Sequence, residues 1–126
     1  MPAPTVGRIT TRAAFAELQR SRARGSSGSV RAVFVPAPSS AAAPHDRDVF
    51  PQVGYAVSRH CGSAVVRNRL RRQARAVVRA EASSLSPGRY LLRFSPESAV
   101  APAATYRADV AEAMRRAGRS QAVRAG

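Results

Sequence analysis

The sequence of 126 residues contains no lysine and no tryptophan, and it has one cysteine, two histidines and seven acidic residues. The single cysteine, Cys61, excludes an internal disulfide, and together with His45 and His60 it lacks the spacing of a zinc site. No apolar run approaches the roughly 20 residues that cross a bilayer, and the N-terminal residues lack the pattern of a secretory signal. We therefore expect a cytoplasmic protein of one domain, with neither a disulfide nor a metal of its own.

What remains is a strongly basic chain, whose 21 positive residues are all arginine and whose net charge is +14. Arginine binds phosphate through a planar, bidentate guanidinium group and also stacks on bases, which an ammonium group cannot do. A pI near 11.9 indicates a nucleic-acid partner, with an anionic membrane surface as the weaker alternative. The acidic residues are scattered along the sequence, so we do not expect this chain to hold a pair of Mg²⁺ ions.

Residues 65–79, VVRNRLRRQARAVVR, are the most polarised segment of the sequence. On a helix of about 100° per residue, the charged side chains share one side and the apolar ones the other. The apolar side consists of Val66, Leu70, Ala74 and Val77. No acidic residue occurs between Asp48 and Glu81, so ion pairs within the helix cannot balance its charge. The pattern predicts an amphipathic helix, capped by Ser63, whose basic side binds a structured anion.

The other segments predict a mixed α+β domain with one sheet and with helices largely on one side of it. Periodicity and turn residues place the elements as follows: helices at residues 11–20 and 105–117, and strands at residues 30–35, 49–58 and 89–95. The irregular segments are a tail at residues 1–7, a basic Gly/Ser loop at 21–29, a low-complexity loop at 36–48 and a basic tail at 118–126. The folded domain is therefore expected at residues 8–117.

Residues 53–75 combine a strand, a turn and the basic helix at a fixed spacing. The strand segment is GYAVS, the turn is RHCG at residues 59–62, and the helix opens AVVRNRLRR at Ala64. This block resembles the protein subunit of bacterial ribonuclease P, in which a G-x-S-V-S-like strand leads into a K-K-x-G turn and a helix beginning A-V-x-R-N-R-x-K-R. His60 departs from the pattern, because a second lysine is common there. The order of elements extends the resemblance over residues 8–117.

The resemblance implies a compact α+β fold with a four-stranded mixed sheet, about three helices and a left-handed βαβ crossover. It also implies the protein subunit of a ribonucleoprotein endonuclease, whose active site and Mg²⁺ ions lie in the RNA and not in this chain. The partners would be the catalytic RNA and the single-stranded 5′ leader of precursor tRNA, whose removal produces the mature tRNA end. No catalytic residue, no membrane and no DNA are implied.

Carried over residue by residue, the resemblance assigns the catalytic RNA to the turn and the basic helix. The assigned residues are Arg59, Arg67, Asn68, Arg69, Arg71, Arg72 and Arg75. For Arg69 a contact within the protein is the alternative, because this residue flanks the apolar side of the helix. A further basic set in the Gly/Ser loop suits non-specific contact with a nucleic-acid backbone, and disorder is the alternative there.

The leader is assigned to a cleft between the first helix and the sheet, with Phe15, Phe34, Tyr55 and Val57 as candidates. Phe15 matches the family's aromatic residue in the first helix, whereas Gln19 stands where a second aromatic residue is expected. Core packing is the alternative for Phe15, Tyr55 and Val57. In this interpretation the basic helix anchors the protein, and the leader site lies elsewhere.

Two other functions remain open. A general RNA-binding module, such as a ribosomal protein, would use the same basic helix. A DNA-binding protein would place that helix in the major groove. Against the second, the dense arginine side lacks the short polar side chains that read base edges.

Overall fold

The structure is a computed structural model that describes residues 6–9, 11–37 and 50–125. The described strands are β1 (Gly7–Arg8), β2 (Arg24–Ser27), β3 (Val30–Pro36), β4 (Gln52–Val57) and β5 (Gly88–Phe94). The helices are α1 (Arg12–Arg20), α2 (Ala64–Glu81) and α3 (Ala103–Ala125). The predicted α+β class is confirmed. The predicted loop at residues 36–48 lies outside the described residues except for its first two, and so does most of the predicted tail at residues 1–7.

The strands form one mixed sheet in the order β1-β4-β5-β3-β2. β1 and β5 run parallel to β4, and α2 connects β4 to β5. β3 lies antiparallel to both β5 and β2. The described sheet therefore has five strands where the resemblance implied four, and the left hand of the crossover stays a prediction.

The sequence predicted neither β1 nor β2. The β2 residues RGSS carry no β-branched or aromatic side chain. Tertiary packing explains this strand. A Cβ atom at Gly25 would lie only 2.4 Å from the backbone nitrogen of Ala117 and 2.5 Å from the carbonyl oxygen of Ala113. Since only glycine permits this approach, α3 lies directly on β2 and holds it at the edge of the sheet.

The two faces of the sheet pack against different helices. On one face, Phe34, Tyr90 and Leu92 join α2 and α3 in the main core. On the other face, Leu18 of α1 packs with Val33 and Leu91 in a smaller core. The expectation that the helices lie largely on one side is thus correct for α2 and α3, whereas α1 covers the opposite face.

α2 begins as the sequence predicted, with the Ser63 hydroxyl accepting a hydrogen bond of 3.3 Å from the backbone nitrogen of Val66. Its fully buried side chains are Leu70, Ala74 and Val78. Val78 thus takes the buried place that the helical pattern gave to Val77, which is half-buried. α3 is fixed to this helix by the Tyr106 hydroxyl, which donates a 2.8 Å hydrogen bond to the carbonyl oxygen of Leu70.

α3 continues to Ala125, through the segment predicted as a flexible tail at residues 118–126. The reason is packing at its centre, where Ala113, Ala117 and Gly118 are buried. Gly118 lies against Ser86, whose Oγ would be 3.3 Å from an added Cβ atom, so this glycine serves close packing and does not end the helix. None of the described helices is long and apolar enough to span a membrane.

Candidate nucleic-acid interface

The solvent-facing side of α2 is almost purely basic. Asn68, Arg69, Arg72, Arg75 and Arg79 are exposed, and Arg67 and Arg71 are half-buried. Within the described residues, no acidic side chain forms an ion pair with any arginine of this helix. The predicted residues of the helix therefore come together on one surface, which we call the arginine face.

Two guanidinium groups of the arginine face are positioned by hydrogen bonds within the protein. Arg71 Nη1 donates to Asn68 Oδ1 at 3.1 Å, so the amide holds this guanidinium group in place. Arg69 Nη2 donates to the carbonyl oxygen of Ala99 at 3.1 Å, which realises the alternative of a contact within the protein. Arg67 Nε is buried and has no described hydrogen-bond partner.

The turn before α2 projects two further side chains. Residues Arg59–Cys61 form a short 3₁₀ helix in which Arg59 and His60 are exposed and Cys61 is buried. The Cys61 thiol donates to the carbonyl oxygen of Phe94 at 3.4 Å and so ties the turn to β5. Gly62 has φ 135°, a conformation that favours glycine, and an added Cβ atom would lie 3.2 Å from Val66. The turn thus holds Arg59 beside the start of the arginine face.

A cleft of about 430 Å³ lies where the short strand β1 stops covering β4. β1 pairs only with Gln52 and Val53, which leaves the outer edge of the following β4 residues without a described partner strand. We call this cavity the edge cleft. Besides β1, its walls are formed by Phe15, Gly54, Tyr55, Arg71, Arg75 and Arg79.

One wall of the edge cleft is aromatic and the other is cationic. Phe15 is 37% exposed, and its ring lies against Gly54, where an added Cβ atom would be 3.3 Å from Phe15 Cε1. The guanidinium carbon of Arg75 is 5.4 Å from the centroid of the Tyr55 ring, which is within cation–π range. Burial raises the pKa of Tyr55 to about 12, against the opposing effect of Arg75 and Arg79. Tyr55 is therefore a neutral hydrogen-bonding group at physiological pH.

The structure changes the set of leader candidates. Phe15 and Tyr55 share the edge cleft, but Phe34 is only 2% exposed and its ring centroid lies 4.7 Å from that of Tyr90. Val57 is 8% exposed and belongs to the main core. Phe34 and Val57 are therefore removed from the surface site, because their positions on the strands point them toward α2 and α3.

Three features of the cleft were not predicted from the sequence. Arg71 and Arg75 face the cleft as well as the helix surface, so the two predicted sites are adjoining and not separate. Arg79 lies eight residues after Arg71 and four after Arg75, on the same helical stripe, and this spacing could have revealed it. The contribution of β1 had no signal, because two residues form too short a pattern.

Comparison with known proteins shows the family of this chain. A sequence model of the family described as Ribonuclease P matches residues 4–118. The chain belongs to the ribonuclease P family. A relative from Beutenbergia cavernae, described as a ribonuclease P protein component, is 44% identical over 61 residues, which are 48% of this chain and 51% of the relative. This match therefore spans about half the length of the relative.

Solved structures of ribonuclease P proteins share the fold. The protein from Staphylococcus aureus superimposes with a TM-score of 0.68 at 16% identity, over 88% of each chain. The protein from Thermotoga maritima, in complex with 1-(4-fluorophenyl)-2-thiourea, gives 0.68 at 17% identity, over 86% of this chain and 98% of its own. At these identities the likeness concerns the fold of this ribonuclease P family member, and its interface is argued from its own residues.

Proposed function

We propose that this chain is the protein subunit of bacterial ribonuclease P, acting in the cytoplasm. It binds the catalytic RNA through the arginine face and holds the single-stranded 5′ leader of precursor tRNA in the edge cleft. The observation that carries the proposal is the arrangement of Arg75 over Tyr55 in a cleft that also contains Phe15. Cations and aromatic rings in one groove are the usual means of binding a single strand.

The arginine face suits a folded RNA because its guanidinium groups are fixed at several points along one helix. Bidentate bonds from arginine to phosphate set affinity and register without reading sequence. The hydrogen bonds of Arg71 with Asn68 and of Arg69 with Ala99 restrict these side chains before binding. Less conformational entropy is then lost when the RNA binds.

The edge cleft suits a leader of any sequence. Every base has a face that can stack on Phe15, and Arg71, Arg75 and Arg79 are placed to neutralise the backbone beside it. A bound leader positions the adjoining phosphodiester bond relative to the RNA partner, because the leader and the RNA partner both contact α2. In this role the protein binds and orients the substrate.

Phosphodiester hydrolysis in this family implies Mg²⁺. The described residues bring together no group of three His, Cys, Asp or Glu side chains that could hold a metal ion. The part of the chain that the structure describes therefore does not fit a Mg²⁺ site. We assign the ions and the activation of water to the RNA partner, and no step of the proposal passes through them.

The test is reconstitution. The protein is added to a bacterial ribonuclease P RNA at low Mg²⁺, and cleavage of precursor tRNA is followed. We expect the cleavage rate to rise with protein concentration and the product to carry the mature 5′ end. An RNA whose activity is unchanged by the protein would refute the proposal and would favour a general RNA-binding module.

A further inference from the structure

A buried serine lies close behind one end of the arginine face. Ser98 belongs to a short 3₁₀ helix, Pro96–Ala99, which follows β5. Its side chain is only 2% exposed. Taking a hydroxyl group out of water costs free energy unless the protein supplies a hydrogen-bond partner. A serine at this buried position therefore indicates that its hydrogen bonds fix a particular local geometry.

The partner of Ser98 is the turn between β2 and β3. The Ser98 hydroxyl donates to Ser29 Oγ at 2.7 Å and lies 3.3 Å from the Ser29 carbonyl oxygen. The same carbonyl oxygen accepts hydrogen bonds from the backbone nitrogen of Ser95 at 3.0 Å and from the Ser95 hydroxyl at 3.2 Å. Ser95 and Ser98 thus hold the Pro96–Ala99 helix on Ser29.

The turn between β2 and β3 is itself held in place. Ser27 Oγ donates to Asp109 Oδ1 of α3 at 2.9 Å. Gly28, with φ 53°, adopts the left-handed conformation that favours glycine. Because the turn is tied to α3 at Ser27 and to the Pro96–Ala99 helix at Ser29, it fixes that short helix relative to the main core.

The Pro96–Ala99 helix presents one backbone group to the arginine face. The carbonyl oxygen of Ala99 accepts the 3.1 Å hydrogen bond from Arg69 Nη2. A guanidinium group has five N–H donors in a rigid plane, so this bond leaves the other donors of the exposed Arg69 side chain free to bind phosphate. The bond also sets the direction in which the plane points. Ser98, the residue before Ala99, therefore acts on the orientation of Arg69.

We propose that Ser98 and Ser29 are positioning residues of the arginine face, which hold the Ala99 carbonyl group where it orients Arg69 toward a phosphate of the catalytic RNA. The inference rests on the proposed function and deepens it, because it gives buried residues outside α2 a part in RNA binding. Since the protein orders Arg69 before the RNA arrives, less conformational entropy is lost on binding. The contact of Arg69 within the protein then supports its contact with the RNA and does not replace it.

The test is a double-mutant cycle on the affinity for the catalytic RNA, measured without precursor tRNA. We expect R69A to weaken binding about tenfold, the effect of losing one charge-assisted contact. S98A should weaken it about fivefold in the parent, because Arg69 must then be ordered on binding, and should have no further effect in R69A. A loss from S98A that is the same with and without Arg69, or no loss in the parent, would refute the positioning role.

The matched control is S21A, which removes a hydroxyl group of the same kind near α1. Ser21 Oγ donates to the carbonyl oxygen of Phe34 at 2.6 Å. S21A and S98A should both lower the melting temperature, but S21A should bind the catalytic RNA as the parent does. S29A removes only the half-buried partner hydroxyl and repeats the cycle with a milder change if S98A does not fold. Equal losses of affinity in S21A and in the variants of Ser29 and Ser98 would show a general effect of stability and overturn the proposal.

A measurement on the free protein separates this inference from the proposed function. NMR signals of a guanidinium group differ between a group that is held and one that rotates freely. The Arg69 signals, assigned by their absence from R69A, should show a held group in the parent and a rotating one in S98A, whereas those of the exposed Arg72 should be the same in both. Unchanged Arg69 signals in S98A would refute the inference even if reconstitution succeeds. A protein that shows the expected signals but binds no catalytic RNA would refute the proposed function and, with it, the RNA role of Ser98.

Discussion

α2 and α3 are both rich in arginine, and they differ in whether acids accompany the arginines. On α3, Glu112 accepts hydrogen bonds from Arg115 at 3.1 Å, Arg116 at 3.0 Å and Arg119 at 2.9 Å. Arg115 also forms a 3.2 Å ion pair with Glu81, at the end of α2. The arginines between Arg67 and Arg79 have no such partner within the described residues. Arginine content alone therefore does not distinguish the proposed RNA surface, whereas the absence of neighbouring acids does.

The difference has an electrostatic consequence. Hydrogen bonds from Arg116, and then from Arg119, hold the pKa of Glu112 below its ordinary value, and Glu81 holds the pKa of Arg115 above its own. On α3, Arg115, Arg116 and Arg119 are thus paired with acids inside the protein. On α2 they repel one another until a polyanion arrives, so α2 is suited to binding and α3 to supporting the sheet.

The largest effect that distinguishes the two helices is on RNA affinity. We expect R67A/R71A to weaken binding to the catalytic RNA by about a hundredfold, because two charge-assisted contacts are lost. The melting temperature should stay nearly unchanged, because no described acid depends on these residues. Filter binding at constant salt measures the first quantity, and thermal unfolding by circular dichroism measures the second.

The matched control removes the same charge from the other helix. R116A/R119A should leave the affinity for the catalytic RNA within a few-fold of the parent, while the melting temperature falls, because Glu112 and the Ser26 carbonyl lose donors. If both double variants weakened RNA binding equally, net charge and not the arginine face would govern affinity, and the comparison of the two helices would fail.

A smaller effect is expected inside the edge cleft. Replacing Phe15 by alanine should raise the KM for a long-leader precursor by about tenfold, since stacking of a base on an aromatic ring contributes roughly 1–3 kcal/mol. A precursor with a single leader nucleotide should be processed as before. Steady-state kinetics of the reconstituted enzyme with the two precursors give this comparison directly.

Leu18, one turn farther along α1, is the control for simple packing. Its side chain is fully buried between α1 and the sheet, so L18A should cost about 2–5 kcal/mol of unfolding free energy. Any loss of activity in L18A should accompany unfolding and be the same for both precursors. A similar pattern in F15A would place Phe15 in the core and not in the leader site.

The sequence predicted those parts of the fold in which local pattern and tertiary packing agree. α2 has a cap at Ser63 and a helical period, and β3 and β5 have runs of β-branched and aromatic residues, so their positions were clear. β2 was not predictable, because its residues become a strand only through contact with α3. The continuation of α3 past Gly118 was missed for a related reason, since the packing against Ser86 lies far away in sequence.

For the candidate site, the sequence predicted the helical part but not which strand residues reach the surface. A helical stripe is visible in a sequence, so the arginine face was recognised from residues 65–79. Alternation along a strand shows which residues share a face but not which face meets a helix. Phe34 and Tyr55 lie on the same face of the sheet, so alternation does not separate them. Their strands do, because Phe34 is buried on the interior strand β3, whereas Tyr55 lines the edge cleft on β4 beyond the end of β1.

The smallest expected effect is a difference between α3 and α2 in how the melting temperature depends on pH. Because the folded protein holds the pKa of Glu112 below its ordinary value of 4.5, the ionised carboxylate contributes stability at neutral pH, and this contribution is lost as the pH falls below that value. We expect the melting temperature of the parent to exceed that of E112Q slightly at pH 7, and the difference to shrink below about pH 4.5. Glu97, whose pKa is also lowered, is present in both proteins and cancels in the comparison. R71Q removes no described pair between an arginine and an acid, so it should differ from its parent by the same amount at both pH values. A pH-independent difference for E112Q would mean that the α3 network contributes no stability through its charge, and the contrast between paired and unpaired arginines would then rest on RNA binding alone.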